Sequence, residues 1–513
     1  MKNLFYILFV FFIGSISYAQ TWVNDAVTLF KNNNAVILTV NMRNFAAVDL
    51  DGNGIVQTKQ GEITGNFFNS IARLDELKKL GVNTIHILPI NPVGVRRAYG
   101  TAGNLFAISD LTTLNPDFKS IESSLIIELQ AKTFIDECHK RNIRVLVEVP
   151  AYASYDLYLK KPGLFLKDSR RNSVMPYGQK DLRILDGGTY SKLNQGVYNM
   201  YEKYLDLLFS IGADGVVVQD PFVKPVSFWS KLIAHVKAQS PEFIFIAEMS
   251  PSQKRNASKF AYSVTLPRLL RNGFDGFYGD FKTIPDWKKS SDILSHIRKS
   301  NKYTGNIDNK KSVVGVFASY NDISPILIND EFLSKMIIWL NSTLPVNPMY
   351  LDGFQYGDDY NFDWANLKAL DSKTDSDVYF VNRGKFDLYN YSRRPTGMNK
   401  EVLSEFRKAN KFKAYMSEFV PNGVFHALNT NIESVFAYAI SDATVNNTVF
   451  VIGNLDIDNI FNVEVSVPKI NSKLSVNTVN SIAIPQFKRN RIYTVIGPYD
   501  IQVFVVKGFS LKP

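Results

Sequence analysis

Between about residues 35 and 360 the chain alternates short, continuous apolar runs with longer segments of helical apolar spacing. The runs are 35–40 (AVILTV), 84–90 (TIHILPI), 144–149 (RVLVEV), 216–220, 243–249 (FIFIAEM), 276–280, 312–319 (SVVGVFAS) and 348–351. Each is too short for a helix and is bounded by turn residues, so each reads as a strand buried on both faces. Helical spacing fills the intervals at 67–80, 126–139, 194–210, 228–238 and 331–340. In 67–80 it falls on Phe68, Ile71, Leu74, Leu77 and Leu80, with Gly81 as the stop. Such alternation implies a parallel sheet with crossover helices. Eight units in roughly 330 residues fit a (β/α)8 TIM barrel.

The stretch 212–220 shows where chemistry would sit. A Gly-Ala-Asp-Gly turn feeds three valines, then Gln219, Asp220 and Pro221. In a parallel barrel the carboxyl ends of the strands form the mouth that carries reacting groups. Strand side chains alternate, so Gln219 and Asp220 face opposite sides unless a bulge turns Asp220 inward. Other strand ends supply Glu148, Glu248 and, just past the seventh strand, Asp322. Several carboxyl groups at one mouth are what glycosidic cleavage requires: one attacks or steers water, another stays protonated as the acid. Each alone also fits a rim residue held by a backbone amide. His86, interior to its strand, reads as a satisfied core histidine.

The ends of the chain differ from its middle. A basic Lys2, an apolar stretch to Ile16 and a small-x-small site at Ser17-Tyr18-Ala19 predict a secretory signal peptide over 1–19. No later stretch is apolar enough to span a membrane, so the mature chain is expected to be exported, to a periplasm, the cell surface or the medium. A barrel over 20–418 is expected to carry an insertion at 151–195, rich in Lys, Arg, Gly and Tyr. From 419 to 513 short β-rich runs separated by Asn, Asp and Pro predict a C-terminal all-β sandwich. Cys138 is the only cysteine, which excludes an intramolecular disulfide, and it reads as a small packed hydrophobe. The net charge is +10, but its basic residues are scattered pairs, not the concentrated face that nucleic acid would need.

One loop has the composition of a cation site. Asp49, Asp51 and Asn53 offer side-chain oxygens around Gly52, and Ile55 a backbone carbonyl, as a calcium loop does. The Glu expected at loop position twelve is Gln60. A turn-rich loop without metal is the other reading. No organic cofactor is indicated.

Residues 35–510 also resemble the α-amylase family (glycoside hydrolase family 13). The resemblance lies in FFNSIARLDELKKLGVNTIHILPINP at 67–92, GTAGNLFAISDLTTLNP at 100–116, the opening Asp214-Gly215 of the fourth strand, and 346–364. It implies a (β/α)8 barrel, a small domain after the third strand and a C-terminal β-sandwich. The catalytic motifs are degenerate. Where the family has an Asp followed by Asn-His, this chain has Glu148, Tyr152 and Ala153. Where it has Gly-Phe-Arg-x-Asp, the chain has Gly215 to Gln219, so Val217 replaces the arginine and Gln219 the nucleophile, with Asp220 one place late. Glu248 matches the acid/base, and Asn-His-Asp becomes Tyr320-Asn321-Asp322.

Three readings follow. In the first, an exported α-glucan hydrolase uses Asp220 as nucleophile, Glu248 as acid/base and Asp322 as stabiliser, with Glu148 orienting the site. In the second, the barrel binds an α-glucan or oligosaccharide without cleaving it. Phe106, Tyr152 and Tyr320 would then stack on sugar rings, while Glu148, Gln219 and Asn321 bond hydroxyls. In the third, the fold persists as a structural module. A glutamine is a poor nucleophile, and a valine cannot hold a carboxylate ionised as an arginine does.

Overall fold

The computed structural model describes residues 22–48, 50, 60–98, 104–176, 180–251, 264–304, 310–316, 325–357, 398–468, 474–481 and 484–511. Eight parallel strands close a barrel in sequence order: β1 (Ile37–Val40), β2 (Thr84–Ile87), β3 (Arg144–Val149), β4 (Gly215–Gln219), β5 (Ile244–Glu248), β6 (Gly276–Tyr278), β7 (Ser312–Val316) and β8 (Asn347–Leu351). β1 closes the ring by pairing with β8, Ile37 opposite Met349. Every strand is short and almost wholly buried, as a sheet covered by helices outside and side chains inside must be.

Strand alternation divides the side chains into two sets. One set, including Leu38, Ile85, Val147, Val216, Val218 and Phe245, packs outward against the helix layer. The other fills the barrel: Ile37, Leu146, Val217, Ile244, Ile246, Val314 and Met349 form an interior apolar cluster. The short helix Ala26–Lys31 adds Ala26, Val27 and Phe30 to that cluster and so plugs the amino-terminal end. Trp22, just before it, donates to Asp214 at 3.0 Å and stacks on His139 at 4.2 Å between ring centroids. The same Asp214 carboxylate accepts Val145 N at 2.7 Å and lies 2.9 Å from His139 Nε2.

Two helical expectations change in detail. The segment expected as one helix over 67–80 is a helical turn Phe67–Ser70, a tighter turn Ile71–Arg73 and a second turn Leu74–Lys79. Asn66 and Asn69 cap its start reciprocally. At the tight turn Arg73 reaches out of the helix to Phe45 O at 2.7 Å and Asp352 at 3.2 Å, tying the first helix to the loops after β1 and β8. The helix expected over 331–340 is longer, Pro325–Thr343, and is followed by a last helix, Lys400–Phe419. It packs on Pro325–Thr343, where Trp339 Nε1 donates to Glu405 at 2.8 Å. Among the described residues no helix is long and apolar enough to cross a membrane.

The C-terminal part is two antiparallel sheets, of five and three strands. Val435, Ala437, Phe450, Ile452, Val463, Ile492 and Phe504 form the core between them. The other face of the larger sheet, with Phe436, Tyr438, Val451 and Val503, merges with the barrel core. Its strand Val435–Asp442 is consequently buried at every position. Tyr438 OH lies 2.6 Å from Thr343 Oγ1 of the barrel. Cys138 is buried in the helix Ile127–His139, and burial raises its thiol well above the ordinary range.

Candidate active site at the barrel mouth

The inward-facing side chains at the carboxyl ends of β1 to β5 are polar. Thr39, His86, Glu148, Gln219 and Glu248 hold these positions; Gln219 and Glu248 are direct register partners. His86 and Glu148 are each 2% exposed. His86 Nδ1 lies 3.1 Å from Thr39 Oγ1, and its Nε2 lies 2.8 Å from Glu148 Oε2. Burial pushes the imidazole pKa down to about 3. Burial also raises Glu148 well above the usual carboxylate range; the charge of Asp220 adds to this and a hydrogen bond with Glu248 opposes it. Near neutral pH the imidazole is therefore neutral. The contact is not an ion pair, because the imidazole cannot charge cheaply in so dry a place.

Asp220 breaks the strand rule. Its backbone is left-handed, φ 38° and ψ 55°, at the point where β4 gives way to the turn Pro221–Val223. Asp tolerates this conformation better than most residues. The change of direction removes Asp220 from the outward set of Val216 and Val218. Its carboxylate accepts the phenol of Tyr152, and its charge is felt at Glu148. Asp220 thus joins the acidic group through a turn and not through strand alternation.

The segment after β3 is stitched to the end of β4 by several bonds. Ala151 N donates to Gln219 Oε1 at 3.1 Å, and Lys224 Nζ donates to Ala151 O at 3.1 Å. Tyr201 OH donates to Pro150 O at 2.7 Å. Lys224 is fully buried, with its ammonium 4.8 Å from the Tyr201 ring centroid. Burial lowers its pKa to about 7 against the pull of Asp186 and Asp220. These bonds position Tyr152, which leads the short antiparallel pair Tyr152–Ser154 and Leu182–Ile184 of the insertion.

Of the residues expected at the site, Glu148, Gln219, Asp220, Glu248 and Tyr152 come together. Phe106 and Tyr152 were expected as stacking platforms, but they are only 4% and 2% exposed, so neither ring offers an open face. Tyr152 contributes its phenol instead. Asp322, Tyr320 and Asn321 lie outside the described residues, as do Asp49, Asp51, Asn53 and Ile55 of the calcium loop. Among the described residues no group of three His, Cys, Asp or Glu side chains is arranged to hold a metal. Sequence reasoning missed Lys224 and the site role of His86. Each left a signal: a lysine inside PFVKPV and a histidine inside TIHILP, both polar residues in runs that have no surface to put them on.

A closed eight-stranded barrel with an insertion after β3, a C-terminal pair of antiparallel sheets and acids at the strand ends is the architecture of the α-amylases. Solved structures bear this out. The chain superposes on a noncanonic maltogenic alpha-amylase AmyB from Thermotoga neapolitana with TM-score 0.69 at 17% identity, covering 94% of this chain and 99% of that one. It matches an alpha-amylase from Lactobacillus plantarum with TM-score 0.66 at 16% identity, covering 93% and 99%. No family model matches the chain. Among curated proteins it is similar to alpha-1,4-glucan:maltose-1-phosphate maltosyltransferases. It is 25% identical over 275 residues to that of Bifidobacterium animalis subsp. lactis, covering 48% of this chain and 36% of the relative. It is 21% identical over 441 residues to that of Picrophilus torridus, covering 82% and 63%. The matches thus span between about a third and two thirds of those relatives. The resemblance to glycoside hydrolase family 13 read from the sequence stands in the fold, with degenerate catalytic motifs.

Proposed function

We propose that this chain is an exported, α-amylase-like glycoside hydrolase acting on α-glucans by a retaining mechanism. Asp220 is its displaced nucleophile and Glu248 its acid/base. The observation that carries the reading is the left-handed turn at Asp220, which brings a carboxylate back to Glu148 after the strand has placed Gln219 in the usual position. In this mechanism Asp220 attacks the anomeric carbon while the leaving oxygen takes a proton from Glu248. Glu148, whose pKa burial raises, shares a hydrogen bond with Glu248. The names of the maltosyltransferase relatives support an α-glucan or maltooligosaccharide as ligand. Export rests on the pattern of residues 1–19, and calcium at Asp49, Asp51, Asn53 and Ile55 on composition alone.

A second reading has its own observation. Gln219 stands directly opposite Glu248, and its amide oxygen is engaged by Ala151 N. An amide there cannot form the glycosyl ester, which favours a barrel that binds glucan and does not cleave it. One experiment separates the two. The purified mature chain is incubated with starch, glycogen and maltodextrins; reducing ends and retardation in glucan gels are both measured. Release that vanishes in Asp220→Asn and in Glu248→Gln supports the hydrolase. Retardation without release supports the binder, and release that survives Asp220→Asn removes the proposed nucleophile.

A further inference from the structure

A cavity lies at the opposite, amino-terminal end of the barrel, in the seam with the C-terminal sheets. Its volume is about 340 Å³. It is bounded by the loop before β1 (Asn32 to Asn34), Lys310 before β7, Ser342 and Thr343 before β8, and Lys413 and Ser417 of the last helix. The charge of its wall is one-sided: beside apolar residues such as Leu344, Val420 and Phe425 stand two lysines, amides and hydroxyls, and among the described residues no aspartate or glutamate.

Lys413 is the unusual member. It is 5% exposed, and its ammonium makes one long bond, to Asn341 O at 3.4 Å. An ammonium has three donors, and a buried one left with a single weak acceptor is costly. A plain structural role, capping the last carbonyls of Pro325–Thr343, would use one donor and leave two. Among the described residues no carboxylate opposes either lysine: burial alone lowers Lys413, to about 7, and burial alone lowers Lys310. A bound anion would supply the missing acceptors and hold both ammonium groups charged.

We propose that this cavity binds a small oxyanion of the phosphate class, held by Lys413 at its base and Lys310 at its exposed mouth. Asn and Ser side chains would bond the remaining oxygens. The volume leaves room beyond one phosphate group, so the anion is either inorganic phosphate or the phosphate of a small phosphorylated sugar. The site is separate from the carboxylates at the mouth and does not depend on how they act.

The test uses the whole mature chain. Melting temperature and calorimetric affinity are measured with inorganic phosphate, with glucose 6-phosphate, with glucose, and with sodium chloride at matched ionic strength. Phosphate is expected to raise the melting temperature beyond chloride. Its affinity should fall at least tenfold in Lys413→Met or in Lys310→Glu, a mouth substitution that does not disturb the core. Tighter binding of glucose 6-phosphate than of phosphate identifies a sugar phosphate as the ligand; equal binding identifies the free anion. A shift no larger than that of chloride, or wild-type affinity in both variants, overturns the proposal.

Discussion

The pairing of His86 with Glu148 makes a prediction whose sign distinguishes two pictures of the barrel interior. In the folded protein His86 has its pKa pushed down to about 3 by burial, against an ordinary value of 6.5. Between those values the unfolded chain binds a proton that the folded chain refuses. Stability is then lost as pH falls below about 6.5, at about 1.4 kcal/mol per pH unit. From pH 7.5 to 4.5 the loss attributable to this one residue is about 2.7 kcal/mol. His86→Gln removes it, and a glutamine amide can still meet both Thr39 and Glu148. Urea unfolding of the two proteins at pH 4.5, 5.5, 6.5 and 7.5 measures the difference. The advantage of wild type over variant should shrink by about 2.7 kcal/mol across the window. Glu148 has the opposite sign, because burial raises its pKa and its favourable share is lost as pH rises above the ordinary 4.5. That term is common to both proteins and cancels. If His86 were instead a cation paired with a carboxylate, its pKa would be raised, and the wild-type advantage would grow on acidification. Growth, or no change, refutes the neutral imidazole.

Other substitutions probe the rest of the frame. Tyr152→Phe deletes the phenol donor to the buried Asp220 carboxylate; the loss of a bond to a charged group should lower urea stability by about 1.5–3 kcal/mol, and an unchanged midpoint would show that the contact does not hold Asp220. Gly215→Ala would place a Cβ 2.5 Å from Ile244 O and 3.0 Å from Ile244 N; overpacking of this kind should destabilise by about 1–3 kcal/mol, read as a fall in melting temperature. Asp214→Asn puts an amide nitrogen among three donors, Trp22 Nε1, Val145 N and His139 Nε2. It should loosen the N-terminal plug, so limited proteolysis should cut ahead of Ala26 faster than in wild type.

The barrel was legible because its signal is local and repeated. Runs such as AVILTV and RVLVEV are short, continuous and bounded, and nothing but a strand covered on both faces accommodates them. The convergence of Glu148 and Glu248 followed from the same rule, since both are the inward residues at the ends of their strands. Lys224, and the partnership of His86 with Glu148, were not legible. A buried polar residue shows in sequence as an anomaly, but its partner lies 62 residues away for His86 and 73 for Lys224. Only the closed register brings them within bonding distance.

Asp220 shows where the limit falls. Period-two alternation assigns it to the helix layer, and a chain that obeyed alternation to the end of β4 would present only Gln219 to the mouth. What turns it is one backbone conformation, set by the junction of a strand with Pro221 and fixed by a phenol from another part of the chain. A left-handed aspartate costs of order 1–3 kcal/mol and persists only where its surroundings over-determine it. Here the surroundings are the Tyr152 phenol, the Ala151 bonds to Gln219 and Lys224, and the 3.0 Å bond from Val223 N to Asp220 O. Every one of these contacts involves the loop after β3 or the turn after β4. The same two segments must therefore decide whether the acid at this rim faces a sugar, and replacing either while leaving all eight strands intact should abolish the site without unfolding the barrel.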